Sequence, residues 1–222
     1  ALSALSYCFM SIFVKLAGSE LATMQIVFIR GVFTLLVTGF ILKYRGVPPF
    51  GNKQSVLVLR GIVGSIALFF VYESLQRLTL PEATVIQYLY PIFTALFASM
   101  IISEHIGKIL HVAIFMGLAG VYIVLDFPFI GSDGISKMDT LIALFGSFLT
   151  GLSYVLVRKA SQLKESPYVI MFYFPLFTVP MSLFFLPGNW VNPTGLTWGY
   201  LLMVGISSQL GQLFLTFGYE LL

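Results

Sequence analysis

Apolar residues occur in long uninterrupted runs that short polar segments separate. A helix of about 20 apolar residues, rising 1.5 Å per residue, crosses the roughly 30 Å hydrocarbon layer of a bilayer. Strands of a membrane barrel would instead alternate apolar and polar positions, and these runs do not. The pattern predicts an all-α, polytopic membrane protein. The predicted helices cover residues 1–18, 23–44, 55–76, 82–103, 108–125, 139–163, 167–187 and 196–221.

Most charged residues lie between these helices or near the helix ends. If helix 1 runs outward, the loops after helices 2, 4 and 6 lie on one side and carry most of the Lys and Arg. The other side has three basic residues, offset by five acidic ones. Cytoplasmic loops carry the basic excess, so the start of helix 1 is expected in the cytoplasm. We also expect the chain to lie in the plasma (inner) membrane. The loops on the inner side hold Lys43, Arg45, Lys53, Lys108, Arg158, Lys159 and Lys164.

Composition excludes several functional classes. The 222 residues are 58% hydrophobic and 9% charged, whereas a soluble domain is about a quarter charged. The basic residues lie in short loops rather than on one surface, which argues against nucleic-acid binding. Cys8 is the sole cysteine, and His105 and His111 lack the neighbours of a metal site. With no phosphate-binding loop either, we expect no metal, cofactor or nucleotide-driven pump.

A short pattern in helix 3 recurs in helix 8. Gly64 precedes Tyr72-Glu73 by the spacing with which Gly211 precedes Tyr219-Glu220. Helices 1–3 would then correspond to helices 6–8. Because this offset is an odd number of helices, the two copies would have opposite orientations, as in the inverted repeats of secondary transporters.

The repeat predicts three segments and an incomplete second copy. The first copy, of five helices, covers residues 1–125, a linker covers 126–138, and three helices of the second copy cover 139–222. The chain starts without methionine inside one apolar run and stops at the end of another. We therefore expect a part of a longer protein, with eight of ten helices.

Three of the charged residues in the predicted helices are candidates for a function, because charge inside a membrane is costly and often functional. Glu73 is the candidate for proton coupling in a solute cavity; alternatively, it reaches water or pairs with Arg77 four residues later. Arg30 either faces the cavity and binds an anion or pairs structurally with Glu20, Glu73 or a carbonyl. Arg60 is expected to extend to the cytoplasmic interface.

Uncharged polar and aromatic residues supply the remaining candidates for solute binding. Pro91 should kink helix 4, and Gln87 would share a face with it, next to Tyr88. These three either line a cavity or belong to a tightly packed helix in which Gln87 bonds a neighbour. The same alternatives hold for Gln209 and Gln212 in helix 8. Tyr7 and Tyr154 line the same space or serve aromatic packing.

The stretch around helices 3 and 4 resembles a known family. The motifs are Arg60-Gly61, the turn 78–84 (LTLPEAT), Tyr90-Pro91-Ile92-Phe93 and Ser103-Glu104. They resemble the EamA-type branch of the drug/metabolite transporter superfamily over most of residues 55–125. The resemblance implies ten helices in two inverted five-helix repeats, a central cavity and alternating access.

Together these observations predict a secondary transporter for a small organic solute, such as a metabolite, an amino acid or a drug-like compound. Its partners would be the solute and the bilayer, with no nucleic acid, and it would act as a monomer or homodimer. A channel or non-transporting scaffold is the alternative, but no filter-like loop or ring of charges is visible. An intramembrane enzyme is disfavoured because His111 has no carboxylate near it in the sequence.

Overall fold

The computed structural model describes residues 2–102, 112, 114–117, 119–120, 123, 136–186 and 190–220. Every regular element with defined bounds in these ranges is an α-helix. Among the described residues, six spans are long and apolar enough to cross a membrane, so the prediction of an all-α, polytopic membrane protein is confirmed. The helices are α1 (Leu2–Ala17), α2 (Thr23–Arg45), α3 (Gln54–Arg77), α4 (Leu80–Gln87), α5 (Tyr90–Ile101), α6 (Lys137–Gln162), α7 (Pro167–Phe185) and α8 (Gly195–Glu220).

Most predicted boundaries lie within two residues of those observed. Helix α1, at 16 residues or about 24 Å, is apolar but shorter than these six spans. Of predicted helix 5, the structure describes residues 112, 114–117, 119–120 and 123, and all of these are helical. Most of the predicted linker falls outside the described residues, as do Glu104, His105, Lys108 and His111. The linker was predicted to reach residue 138, but α6 already begins at Lys137.

Predicted helix 4 is two helices rather than one kinked helix. The regular backbone stops at Gln87 and resumes at Tyr90. Pro91 explains the break, because proline has no N–H for the carbonyl four residues earlier and its ring collides with that carbonyl. That carbonyl belongs to Gln87, and it accepts a hydrogen bond from the Ser147 hydroxyl at 3.1 Å instead. The expectation that Gln87 and Pro91 share one regular helix face was therefore wrong.

The chain divides into two compact units. The first comprises Ala1–Ser65 and Leu156–Leu222, and the second comprises Ile66–Val155. Helices α3 and α6 each contribute to both units. This division follows packing rather than the predicted repeat, so the repeat boundaries stay a prediction.

Close helix contacts hold the first unit together. Helix α1 packs on α8, and α2 packs on α7 and α8. Glycines allow the closest approaches: a Cβ added at Gly61 would lie 2.8 Å from the backbone oxygen of Tyr173, and one at Gly211 would meet the Tyr7 ring at 2.8 Å. Small residues at such contacts are the usual basis of helix packing in lipid.

Hydrogen bonds to two carboxylates join segments of the first unit at the ends of its helices, and we call these groups the Glu20 clasp and the Glu165 clasp. Glu20, between α1 and α2, accepts hydrogen bonds from the hydroxyls of Thr194 at 3.2 Å and Thr197 at 2.7 Å. Elsewhere, Glu165 accepts one from the Lys53 backbone N–H at 2.5 Å. The clasps tie the segments before α2 and α3 to those beside α8 and α7.

Aromatic rings and small residues fill the second unit. Phe148 makes edge-to-face contacts with Phe93 at 5.4 Å and Phe97 at 4.9 Å. A Cβ at Gly151 would lie 2.6 Å from the Cβ of Phe93 and 2.8 Å from the backbone nitrogen of Thr94. Helices α5 and α6 therefore approach each other closely here.

Candidate functional site

Two buried arginines of the first unit meet at one aromatic ring. Arg30 of α2 and Arg60 of α3 are 3% and 2% exposed. Their guanidinium carbons lie 5.2 and 4.9 Å from the ring centre of Phe174 in α7, within the range of cation–π attraction. Each arginine is about 10 Å inside the start of its helix. Since successive spans run in opposite directions, the two side chains come from opposite ends of the membrane layer.

The expectation that Arg60 extends to the interface was wrong. Its guanidinium folds over Gly64, one turn further into α3, and a Cβ at Gly64 would collide with Arg60 Nη1. Glycine leaves the space for this conformation. Next to it, the Ser65 hydroxyl lies 2.8 Å from the Thr178 hydroxyl, so α3 and α7 are also joined by a buried polar contact. We call Arg30 and Arg60 the arginine pair.

A row of polar side chains continues from Arg30 along α2 and onto α8. Thr34 and Thr38 follow Arg30 at successive turns, and all three are buried. The amide of Gln209 donates to the Thr38 hydroxyl at 3.3 Å. One turn along α8, the Gln212 carbonyl oxygen accepts from the Tyr7 hydroxyl at 2.8 Å. We call Arg30, Thr34, Thr38, Gln209 and Gln212 the polar stripe.

The stripe keeps unused hydrogen-bonding capacity. Within the described residues, no partner exists for Thr34 Oγ1, Gln209 Oε1 or Gln212 Nε2, although all three atoms are buried. Such atoms are rare in native proteins because each leaves a desolvation cost uncompensated. Their concentration on adjoining turns of α2 and α8 marks this surface as one that a polar solute can satisfy.

The candidates predicted in helix 4 lie in the second unit and have different surroundings from one another. Gln87 donates to the Thr150 hydroxyl at 3.1 Å, which is the helix-bonding alternative. Tyr88 is 61% exposed, and Pro91 is exposed as well. Tyr154 stacks edge-to-face on Tyr90 with ring centres 5.0 Å apart.

Glu73 forms an ion pair at the end of α3. It accepts from Arg77 Nε at 2.7 Å, and Arg77 Nη1 also reaches Asp139 at 3.3 Å. The spacing of four residues places both groups on one helix face. Pairing with Arg77 was the alternative to the proton-coupling role, which stays a prediction.

The structure therefore groups the candidate residues by unit. Tyr7, Arg30, Gln209 and Gln212 lie in the first unit, whereas Glu73, Gln87, Tyr88, Pro91 and Tyr154 lie in the second. Sequence reasoning missed the burial of Arg60 beside Phe174 and did not single out Thr34. The spacing of Arg30, Thr34 and Thr38 by four residues could have revealed the stripe.

Comparisons with known proteins give a consistent result. A model of the EamA-like transporter family matches residues 1–126. A pseudopaline exporter, CntI, of Pseudomonas aeruginosa is 27% identical over 216 residues, which cover 97% of this chain and 75% of the exporter. Mouse solute carrier family 35 member G1 is 29% identical, over 97% of this chain and 62% of the carrier. An uncharacterized transporter of Helicobacter pylori is 25% identical, over 98% and 75%.

A solved crystal structure has a similar fold. It superposes with a TM-score of 0.68, covering 99% of this chain and 79% of the other, at 18% sequence identity. At that identity the likeness concerns the fold alone. The family match and the named relatives identify a transporter rather than an enzyme.

Proposed function

Because the chain belongs to the EamA-like transporter family, we propose that it moves a small organic solute across the membrane by alternating access. The observation that carries this proposal is the polar stripe, a buried set of side chains with unused hydrogen-bonding atoms. Lipid offers no partner to such atoms, whereas a transiently bound polar solute does.

Export from the cytoplasm is the proposed direction. One relative is named as an exporter, of pseudopaline. The proposed location is the plasma (inner) membrane with the start of α1 in the cytoplasm, which the Lys/Arg bias of the loops supports. In this orientation the Glu20 clasp lies on the outer side and the Glu165 clasp on the inner side.

Counterflow in liposomes tests the carrier mechanism. A thermal-shift screen of organic acids, amino acids, nucleosides and amphipathic cations would first choose a solute. We expect its labelled form to enter faster when unlabelled solute is inside, with a rate that saturates. Gln209→Leu should slow this uptake, whereas Gln54→Leu, the same change at an exposed position of α3, should not. A flux that does not saturate and is not stimulated from the other side would indicate a channel.

Glu73 is the proposed proton-coupling carboxylate. Its protonation would break the ion pair with Arg77, which offers a direct link between proton binding and helix position. Replacing Glu73 with Gln should abolish the pH dependence of uptake in vesicles. If the rate and the pH profile stay those of the unaltered protein, the ion pair has a structural role instead.

A further inference from the structure

The arginine pair and the stripe together indicate which chemical class of solute the first unit accepts. We infer that this site binds an organic carboxylate, with the carboxylate at Arg30 and Arg60 and an amide or hydroxyl of the same molecule at Thr34. The inference rests on the transporter function proposed above and adds the substrate class to it.

The first step is the convergence of two like charges. Both guanidinium carbons lie about 5 Å from one ring centre, so they are at most about 10 Å apart in a medium that screens charge poorly. A guanidinium has five N–H donors in a planar fork, which matches a carboxylate. Each arginine can therefore keep its contacts within the protein and still bind a solute carboxylate.

The second step is independent of charge. Thr34 Oγ1 is buried and has no hydrogen-bond partner within the described residues, and it follows Arg30 by one turn, about 6 Å along the axis. The unpartnered atoms of Gln209 and Gln212 lie further along the same stripe. A solute that donates or accepts hydrogen bonds near its carboxylate would satisfy atoms that the protein leaves bare.

The third step concerns the surroundings of the charge. Phe174 offers an aromatic face at the arginine pair, and its ring is itself buried. An apolar group of the solute, next to its carboxylate, could pack against the Phe174 ring at little desolvation cost. A phosphate carries more charge into the same apolar place and loses more hydration, so a carboxylate is the better match.

Three related ligands test the contributions of the carboxylate and of the hydrogen-bonding group separately. Hippurate carries a carboxylate, an amide and a phenyl ring. Phenylbutyrate replaces the amide with two methylenes, and hippuramide replaces the carboxylate with an amide. Titration calorimetry on the purified full-length protein should show hippurate binding about tenfold tighter than either analogue, the usual scale for one charged hydrogen bond. Equal or tighter binding of hippuramide, of phenyl phosphate or of benzylamine would overturn the inference.

Substitutions assign each effect to a residue. Arg30→Gln and Arg60→Gln should each bring hippurate down to the affinity of hippuramide, and Thr34→Val should remove its advantage over phenylbutyrate. Arg45→Gln is the matched control, because Arg45 also lies over a ring, that of Tyr168 at 5.7 Å, but is exposed at the end of α2. If Arg30→Gln does not fold, Arg30→Lys replaces it in the test. This variant keeps a positive charge and should retain part of the affinity for hippurate.

These outcomes are distinct from failure of the transporter proposal. Saturable counterflow of a neutral or cationic solute, together with no preference for hippurate, would overturn the anion site and leave the carrier intact. Hippurate binding that the arginine substitutions do not weaken would also overturn it, because the carboxylate would then lie elsewhere.

Discussion

Helix α3 contributes Arg60 to the first compact unit and Arg77 to the second, and the two units hold these arginines in opposite ways. In the first, Arg30 and Arg60 are almost fully buried against the ring of Phe174. In the second, the Arg77 side chain is 47% exposed and bonded to Glu73 and Asp139. Arg60 and Arg77 belong to the same helix, α3, yet one folds inward over a glycine and the other forms ion pairs at the helix end.

The difference shows how position decides the use of a charge. An exposed ion pair contributes little to stability because water solvates both partners well. A buried guanidinium beside an aromatic ring is costly to place, and its directed donors can recognise a ligand. The candidate glutamines of the two units also differ, since Gln87 is bonded to Thr150 while Gln209 and Gln212 each keep one atom unpartnered.

The largest effect on stability should come from disturbing the close contact between α3 and α7, the helices that carry Arg60 and Phe174. Gly61→Leu places a side chain against the backbone oxygen of Tyr173, which lies 2.8 Å from the Cβ position and cannot rotate away. Overpacking of this kind should cost about 3 kcal/mol or more and lower the melting temperature clearly. Gly199→Leu is the control, because nothing lies within 4 Å of a Cβ there. Equal melting temperatures for both variants would contradict the close α3–α7 contact.

Removing one charge from each unit tests the comparison directly. Arg30→Gln should reduce transport about tenfold or more if a solute carboxylate binds there, the usual scale of a charged hydrogen bond. Exchange of one solute molecule for another needs no net proton movement, so Arg77→Gln should change the counterflow rate less than about fivefold, because an exposed ion pair is worth at most about 1 kcal/mol. Initial rates of counterflow at equal protein content measure both. A stronger effect of Arg77→Gln would reverse the assignment of the two units.

A double substitution tests the break between α4 and α5. Ser147→Ala should destabilise the protein by about 1 kcal/mol, because the Gln87 carbonyl loses its partner. In the background of Pro91→Ala the same change should cost less, since residue 91 then has an N–H for that carbonyl. Thermal melting of the four proteins gives the coupling energy. Strictly additive effects would contradict this account of the break.

The smallest effect concerns the exposed clasp of Glu20. The hydrogen bond from the Thr197 hydroxyl is the main cause that lowers the pKa of Glu20 below its ordinary value of 4.5. A lowered pKa in the folded state contributes stability above pH 4.5 and loses it as the pH falls through the folded value. Melting curves of the unaltered protein and of Glu20→Gln should therefore differ slightly at neutral pH and converge in acid. A gap that widens in acid would contradict the sign.

Sequence reasoning predicted the helices well because apolar length alone decides membrane spans. It placed the ends of α2 and α3 within one residue, since a charge or a loop follows each. It predicted a kink at Pro91 but not the interruption, which depends on a hydroxyl of α6 that accommodates the displaced carbonyl. Tertiary contacts of this kind leave no signal in the local pattern.

The candidate site was predictable only in part. Arg30, Gln209 and Gln212 were singled out because polar residues are rare in apolar helices. Arg60 was assigned to the interface because its place near the helix start suggested an easy route to water. The direction it takes depends on Gly64 beneath it and on Phe174 of a helix far away in sequence. Grouping the candidates by unit likewise required the packing of the helices.

The contact of both arginines with Phe174 also bears on how the protein is made. Helices α2 and α3 leave the ribosome long before α7. Their arginines therefore enter the membrane before Phe174 of α7 has been synthesised. Each arginine costs about 3 kcal/mol near a helix centre during insertion, which the surrounding apolar residues of α2 and α3 must offset. The site therefore forms late in biogenesis, when α7 docks on helices that are already in the bilayer.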